Sequence, residues 1–126
     1  MKKTIAVFST LIIIVFTLII ILNIYTSVRE RSTYEAAVCE LEKGKYAQAI
    51  THFEELGSYR DSALLCEYAQ LRADFDIESE EFIVCSYPTI TKIDTEYDGS
   101  RFESDIASDR AIISDMYYNI AAQMAY

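Results

Sequence analysis

The chain holds few residues equipped for chemistry. His52 is its only histidine, and Cys39, Cys66 and Cys85 are its only thiols. A nucleophilic thiol needs a base within hydrogen-bond reach, and no local pattern brings a cysteine to His52. His52 precedes Phe53 and falls off the apolar face, which places it on the surface, whereas the three cysteines read as small apolar packing groups. No paired Cys or His spacing suits zinc, and no glycine-rich loop suits phosphate, so no catalytic residue and no cofactor is assigned. The most pointed pattern is Asp94, Glu96, Asp98 and Asp105, with Gly99 between. These fall at positions 1, 3, 5 and 12 of a calcium-type loop, with glycine at position 6. Against it, Asp105 is one methylene short for a bidentate closing ligand, and Arg101 brings positive charge to position 8.

Two other features could recognise a partner. Asp74 to Glu81 carries five acids in eight residues. Ten tyrosines stand in a chain without tryptophan, and Tyr117, Tyr118 and Tyr126 fall off the helical stripes; tyrosine is favoured at contact surfaces. The Asp94–Asp105 loop, similar to that of an EF-hand, implies as an alternative reading a calcium-responsive surface module.

The elements that must position these groups follow from composition. The chain has 126 residues, 52% of them hydrophobic, with three glycines and one proline. Such a length holds one domain, and scarce turn residues argue against an all-β fold. Net charge is −9; the two lysines ahead of residue 26 leave a body of −11. A surface this acidic is repelled by phosphate backbones, so no nucleic-acid partner is expected.

Between Lys3 and Arg29 no residue is charged. The 22 residues Thr4–Tyr25 make a helix of about 33 Å, enough for a hydrocarbon core of about 30 Å. β-Branched side chains dominate the stretch, yet in lipid only a helix satisfies its backbone. Residues 1–3 then form a short tail, 4–25 a transmembrane helix lodged in the lipid bilayer, and 26–31 a juxtamembrane linker. A cleaved secretory signal, which would leave a secreted helical protein, is the rival, but its apolar core is shorter and ends in a small-x-small site. With so short a tail ahead of the span, the simplest insertion leaves the body outside the cytoplasm, as a single-pass protein of the cell membrane.

Beyond residue 31 the apolar period is helical. Tyr34, Ala37, Val38 and Leu41 share one face, with Ser32 and Glu35 placed as a capping box and Gly44 as the stop. Tyr46, Ala49, Ile50, Phe53 and Leu56 line a second helix ended by Gly57, and the short loop makes the pair antiparallel. A third helix is predicted over about 61–75, with Leu64, Leu65, Tyr68, Leu71 and Phe75 inward. A fourth starts at a Ser79 cap and kinks or breaks at Pro88. A last helix, about 100–124, carries Phe102, Ile106, Ile113, Met116, Ile120 and Met124, with a polar gap at Asp109 and Arg110.

The run Gly44, Tyr46, Ala49, Phe53 and Leu56, followed by the Leu56-Gly57-Ser58-Tyr59-Arg60-Asp61-Ser62 junction, resembles a tetratricopeptide repeat of the kind found in bacterial membrane and surface proteins. Tyr97 to Ser100 echoes Tyr59 to Ser62 at an offset of 38 residues. The resemblance implies an all-α fold: a transmembrane helix, then a short antiparallel stack, with one repeat and its following helix over 32–75 and a second, degenerate repeat with a capping helix over 76–126. It also implies a non-catalytic scaffold binding a protein or peptide through its first helix, with Tyr34, Glu35, Val38 and Glu42 as contacts. Gly44, Tyr46, Ala49, Phe53, Gly57, Tyr59 and Asp61 are its structural positions.

Overall fold

A computed structural model of the chain describes residues 1–124, and these are all-helical: α1 (Lys2–Glu42), α2 (Tyr46–Leu56), α3 (Ser62–Ala73), α4 (Glu80–Glu96) and α5 (Glu103–Met124). α1 is 41 residues long, about 61 Å from end to end. Along Thr4–Tyr25 every side chain is open, because no other helix reaches that half. Thr10, Thr17 and Thr26 each donate to the carbonyl four residues earlier, at 2.8–2.9 Å, which satisfies their hydroxyls without water.

The expected linker at 26–31 is absent, and so is the expected cap at Ser32. The helix runs through both. Neither glycine nor proline interrupts Thr26–Lys43, so nothing opposes propagation once the apolar half has nucleated the helix. α1 ends where a residue can adopt positive φ: Gly44, at φ +78°. There the Lys45 amide bonds Glu40 O at 2.8 Å and the Gly44 amide bonds Leu41 O at 3.2 Å, the paired closure of a Schellman motif.

α2 folds back along α1, and α3 returns beside α2. Heights along the rod follow from side-chain ties. Asp61, just ahead of α3, meets Tyr34, and Arg72 near the end of α3 meets Tyr46 at the start of α2. α3 therefore climbs parallel to α1. α4 descends, with Lys92 on Glu67, and α5 climbs again beside it, with Arg110 on Asp94.

One apolar cluster joins the five helices. Ala37, Val38 and Leu41 meet Ala49 and Phe53, then Leu65, Tyr68, Ala69 and Leu71, then Ile83, Ile90 and Ile93, and lastly Phe102, Ile106 and Ile113. Fully burying a side chain of the Ile or Phe class contributes about 1.5–3 kcal/mol. Alanine at 37 and 49 lets α1 and α2 approach. Met124, expected on the inner face of α5, is exposed.

Pro88 does not break α4. It lacks an amide hydrogen to offer the Val84 carbonyl, but both residues face solvent, where water can take that acceptor. One turn on, Thr91 donates to the Tyr87 carbonyl at 2.8 Å. Ser79 caps the helix as expected, accepting from the Phe82 amide at 3.2 Å.

Candidate functional site

Two polar clefts flank the stack, and each contains a tyrosine bonded to an aspartate. In the first, the Tyr34 hydroxyl donates to Asp61 Oδ1 at 2.6 Å. Asp61 stands at the N-terminus of α3, yet its carboxylate is drawn to Tyr34, and α3 starts without a side-chain cap bond. Tyr34 lies edge-on to Phe53 and Tyr59, and the Arg60 guanidinium sits 5.2 Å from the Tyr34 ring and 5.3 Å from the Tyr59 ring. Arg60 is held there at φ +48°, a conformation unfavourable for any side chain but stabilised here by two aromatic faces. Burial, and then the Asp61 carboxylate, push the Tyr34 phenol well above its ordinary value. This cleft, about 520 Å³, is bordered by Arg60, Leu64, Glu67, Lys92 and Glu96.

The second cleft, about 270 Å³, opens between the end of α1 and the faces of α3 and α5. Its floor is the polar gap of α5. Asp109, only 7% exposed, accepts from the Tyr68 hydroxyl at 2.6 Å and from Arg72 Nη1 at 3.1 Å. Arg72 also donates through Nε to the Tyr46 hydroxyl at 3.4 Å, and its guanidinium covers the Phe75 ring at 4.7 Å. A buried carboxylate is tolerable only when paired and hydrogen-bonded, and this one is both. Burial and the Asp109 bond raise the Tyr68 phenol strongly. For Arg72, burial works against the charge, yet its bonds to Tyr46 and Asp109 outweigh it and raise the guanidinium. Asp105 and Ser108 stand exposed on the rim.

The expected contact residues do not open onto one cleft. Tyr34 belongs to the first cleft and Glu42 to the second. Arg101 ties Glu42 and lies 3.7 Å from Glu35, which lowers the Glu42 carboxyl through the Arg101 hydrogen bond. Val38 is 1% exposed; it is a core residue and unavailable to a partner. The helical period placed it correctly on the apolar stripe, and the stripe is what the neighbouring helices cover.

The calcium-type residues are likewise dispersed. Asp94 lies within α4 and pairs with Arg110, Glu96 ends α4, Asp98 follows it, and Asp105 sits in the first turn of α5. Among the described residues no three His, Cys, Asp or Glu side chains gather into a metal-binding group.

His52 is half-buried rather than free in solvent: its Nδ1 lies 2.7 Å from Glu40 Oε2, linking α2 to α1. Cys66 is buried, and burial raises its thiol; Cys39 is intermediate. Cys85, read from the sequence as a small packing group, is exposed on α4. Tyr87 stacks on Tyr117 at 4.1 Å and shares a 3.3 Å hydroxyl contact with Tyr118, while Tyr126 lies outside the described residues. Sequence reasoning missed the Tyr68–Asp109–Arg72 group; its only trace was the polar interruption of an otherwise apolar α5 stripe.

Compared with protein-family models, curated proteins and solved structures, the chain matches none.

Proposed function

We propose that this chain is a single-pass membrane protein whose helical-repeat body holds a protein or peptide partner beside the bilayer without catalysing a reaction. The observation that carries the reading is α1. Its Thr4–Tyr25 surface is apolar and wholly uncovered, a condition stable only in a lipid solvent, and the same helix continues unbroken into the body. A signal peptidase would have to cut within a continuous helix, which favours an anchor over a leader.

The binding role draws on the second cleft. Its aromatic and charged floor is held in place by mutual bonds, and its lining includes Asp105 and Glu42, the latter tied to Arg101. Together with the −11 body, this favours a partner segment bearing lysine or arginine. The tetratricopeptide-like reading is supported by the antiparallel pairing and by the Tyr59 and Tyr97 turns, and the body is assigned to the extracytoplasmic side.

Two measurements on intact cells test it. A photo-crosslinking residue at Ser108 should capture a discrete partner with a basic segment, whereas one at Gln48, on the outer face of α2, should not; equal capture at both would refute the cleft. Cys85 is exposed and should react with a membrane-impermeant maleimide. Reaction only after permeabilisation would place the body on the cytoplasmic side.

A further inference from the structure

The continuity of α1 fixes the height of the body above the membrane. A wedge between α1 and the end of α2 is lined by Tyr25, Thr26, Arg29, Glu30, Glu55 and Leu56. Tyr25 is the last residue of the expected span, so the end of α2 lies level with the exit of that span. The headgroup layer is about 5–8 Å thick on each side of the hydrocarbon, which four or five helical residues traverse. The chain beyond Leu56 can turn only at that depth: Gly57, at φ +57°, ends α2, and the Tyr59 amide bonds Leu56 O at 3.1 Å to close the turn.

We propose that the α2–α3 turn, Gly57 to Arg60, rests in the lipid headgroup layer, so that the body stands on the bilayer with the acidic α3–α4 loop pointing away. The proposal rests on the membrane-anchor reading above.

The chemistry of the two ends agrees. At the lower end Arg29, Arg31 and Arg60 are interspersed with Glu30, Glu54, Glu55, Asp61, Glu96 and Asp98. The upper loop carries Asp74, Asp76, Glu78, Glu80 and Glu81, with no basic residue between Arg72 and Lys92. An anionic surface repels most strongly the loop whose acids have no arginine among them. Tyr59, partly buried against Tyr34, and the exposed Arg60 supply the amphipathic pair that favours the interface. Because α3 climbs for 12 residues, Asp76 stands about 18 Å farther from the bilayer than Arg60.

The test uses the full chain in vesicles of phosphatidylcholine and phosphatidylglycerol, with the native cysteines replaced and one fluorophore attached at Ser58→Cys or Asp76→Cys. Circular dichroism confirms that each labelled chain is folded. With a headgroup-nitroxide lipid as quencher, the Ser58→Cys label should lose most of its emission and the Asp76→Cys label almost none. Inserting three glycines between Val28 and Arg29 should abolish that difference. Equal, weak quenching at both sites in chains that resist carbonate extraction would overturn the proposal and leave the anchor standing. Release of the chain by carbonate would overturn both.

Discussion

The two Tyr–Asp bonds of the body are the same length and differ in almost everything else. Tyr68–Asp109 lies in the interior, joins α3 to α5, and has Arg72 to neutralise its carboxylate. Tyr34–Asp61 lies at the edge of a larger cleft and joins α1 to the start of α3; its nearest arginine, Arg60, stacks on the rings instead of pairing with the acid. Depth decides what each bond does. In the interior, an unpaired carboxylate costs several kcal/mol, so the three groups must act together and they hold α5 in register. At the edge, water can replace any lost partner, and the bond orients side chains more than it stabilises the fold.

Removing the two acids tests that contrast most strongly. Asp109→Ala leaves Arg72 and Tyr68 without their partner and should lower stability by about 3–5 kcal/mol, read by denaturant unfolding of the full chain in micelles. Asp61→Ala should cost about 1 kcal/mol. Equal losses would erase the distinction.

Alkaline unfolding is the next effect in size. Burial raises both phenols above the ordinary tyrosine value, which is about 10. Above that pH the unfolded chain gives up protons that the folded chain retains, so stability is whole below it and falls as pH climbs beyond it. Tyr68→Phe should flatten this decline more than Tyr34→Phe, since its desolvation is deeper. The opposite order would reverse the assignment of interior and edge.

Ser62 gives a finer probe. Its hydroxyl is fully buried beside Asp61 and has no hydrogen-bond partner among the described residues, so Ser62→Ala should stabilise by about 1 kcal/mol. A loss instead would mean that Ser62 belongs to the edge network. The smallest shift is expected from Arg101→Ala, whose ion pairs with Glu35 and Glu42 are exposed and screened.

Local signals made much of the fold legible. The uncharged run, the stripes of α2 and α3, the glycines at 44 and 57 and the Ser79 cap are each read within a few residues, where periodicity and capping act. Three features lay beyond that range. The 26–31 linker was inferred from a change of composition, yet composition does not stop a helix that lacks a breaker. Pro88 was expected to kink or break α4, and the helix runs through it, since a proline on a solvated face loses one bond that water can replace. Asp109 looked like a defect because Tyr68, its partner, is 41 residues away, and no window along the chain joins them. The contact set failed at Val38 for the opposite reason: the apolar stripe was correct and its exposure was not.

The claim beneath all of this is that α1 crosses the bilayer and serves, without a joint, as the first helix of the body. Membranes from cells expressing the full chain, washed in alkaline carbonate, test it directly, with the molecular mass of the polypeptide read in each fraction. The account predicts the intact chain, Met1 onward, in the pellet; a polypeptide shortened near Tyr25 and free in the supernatant would contradict it.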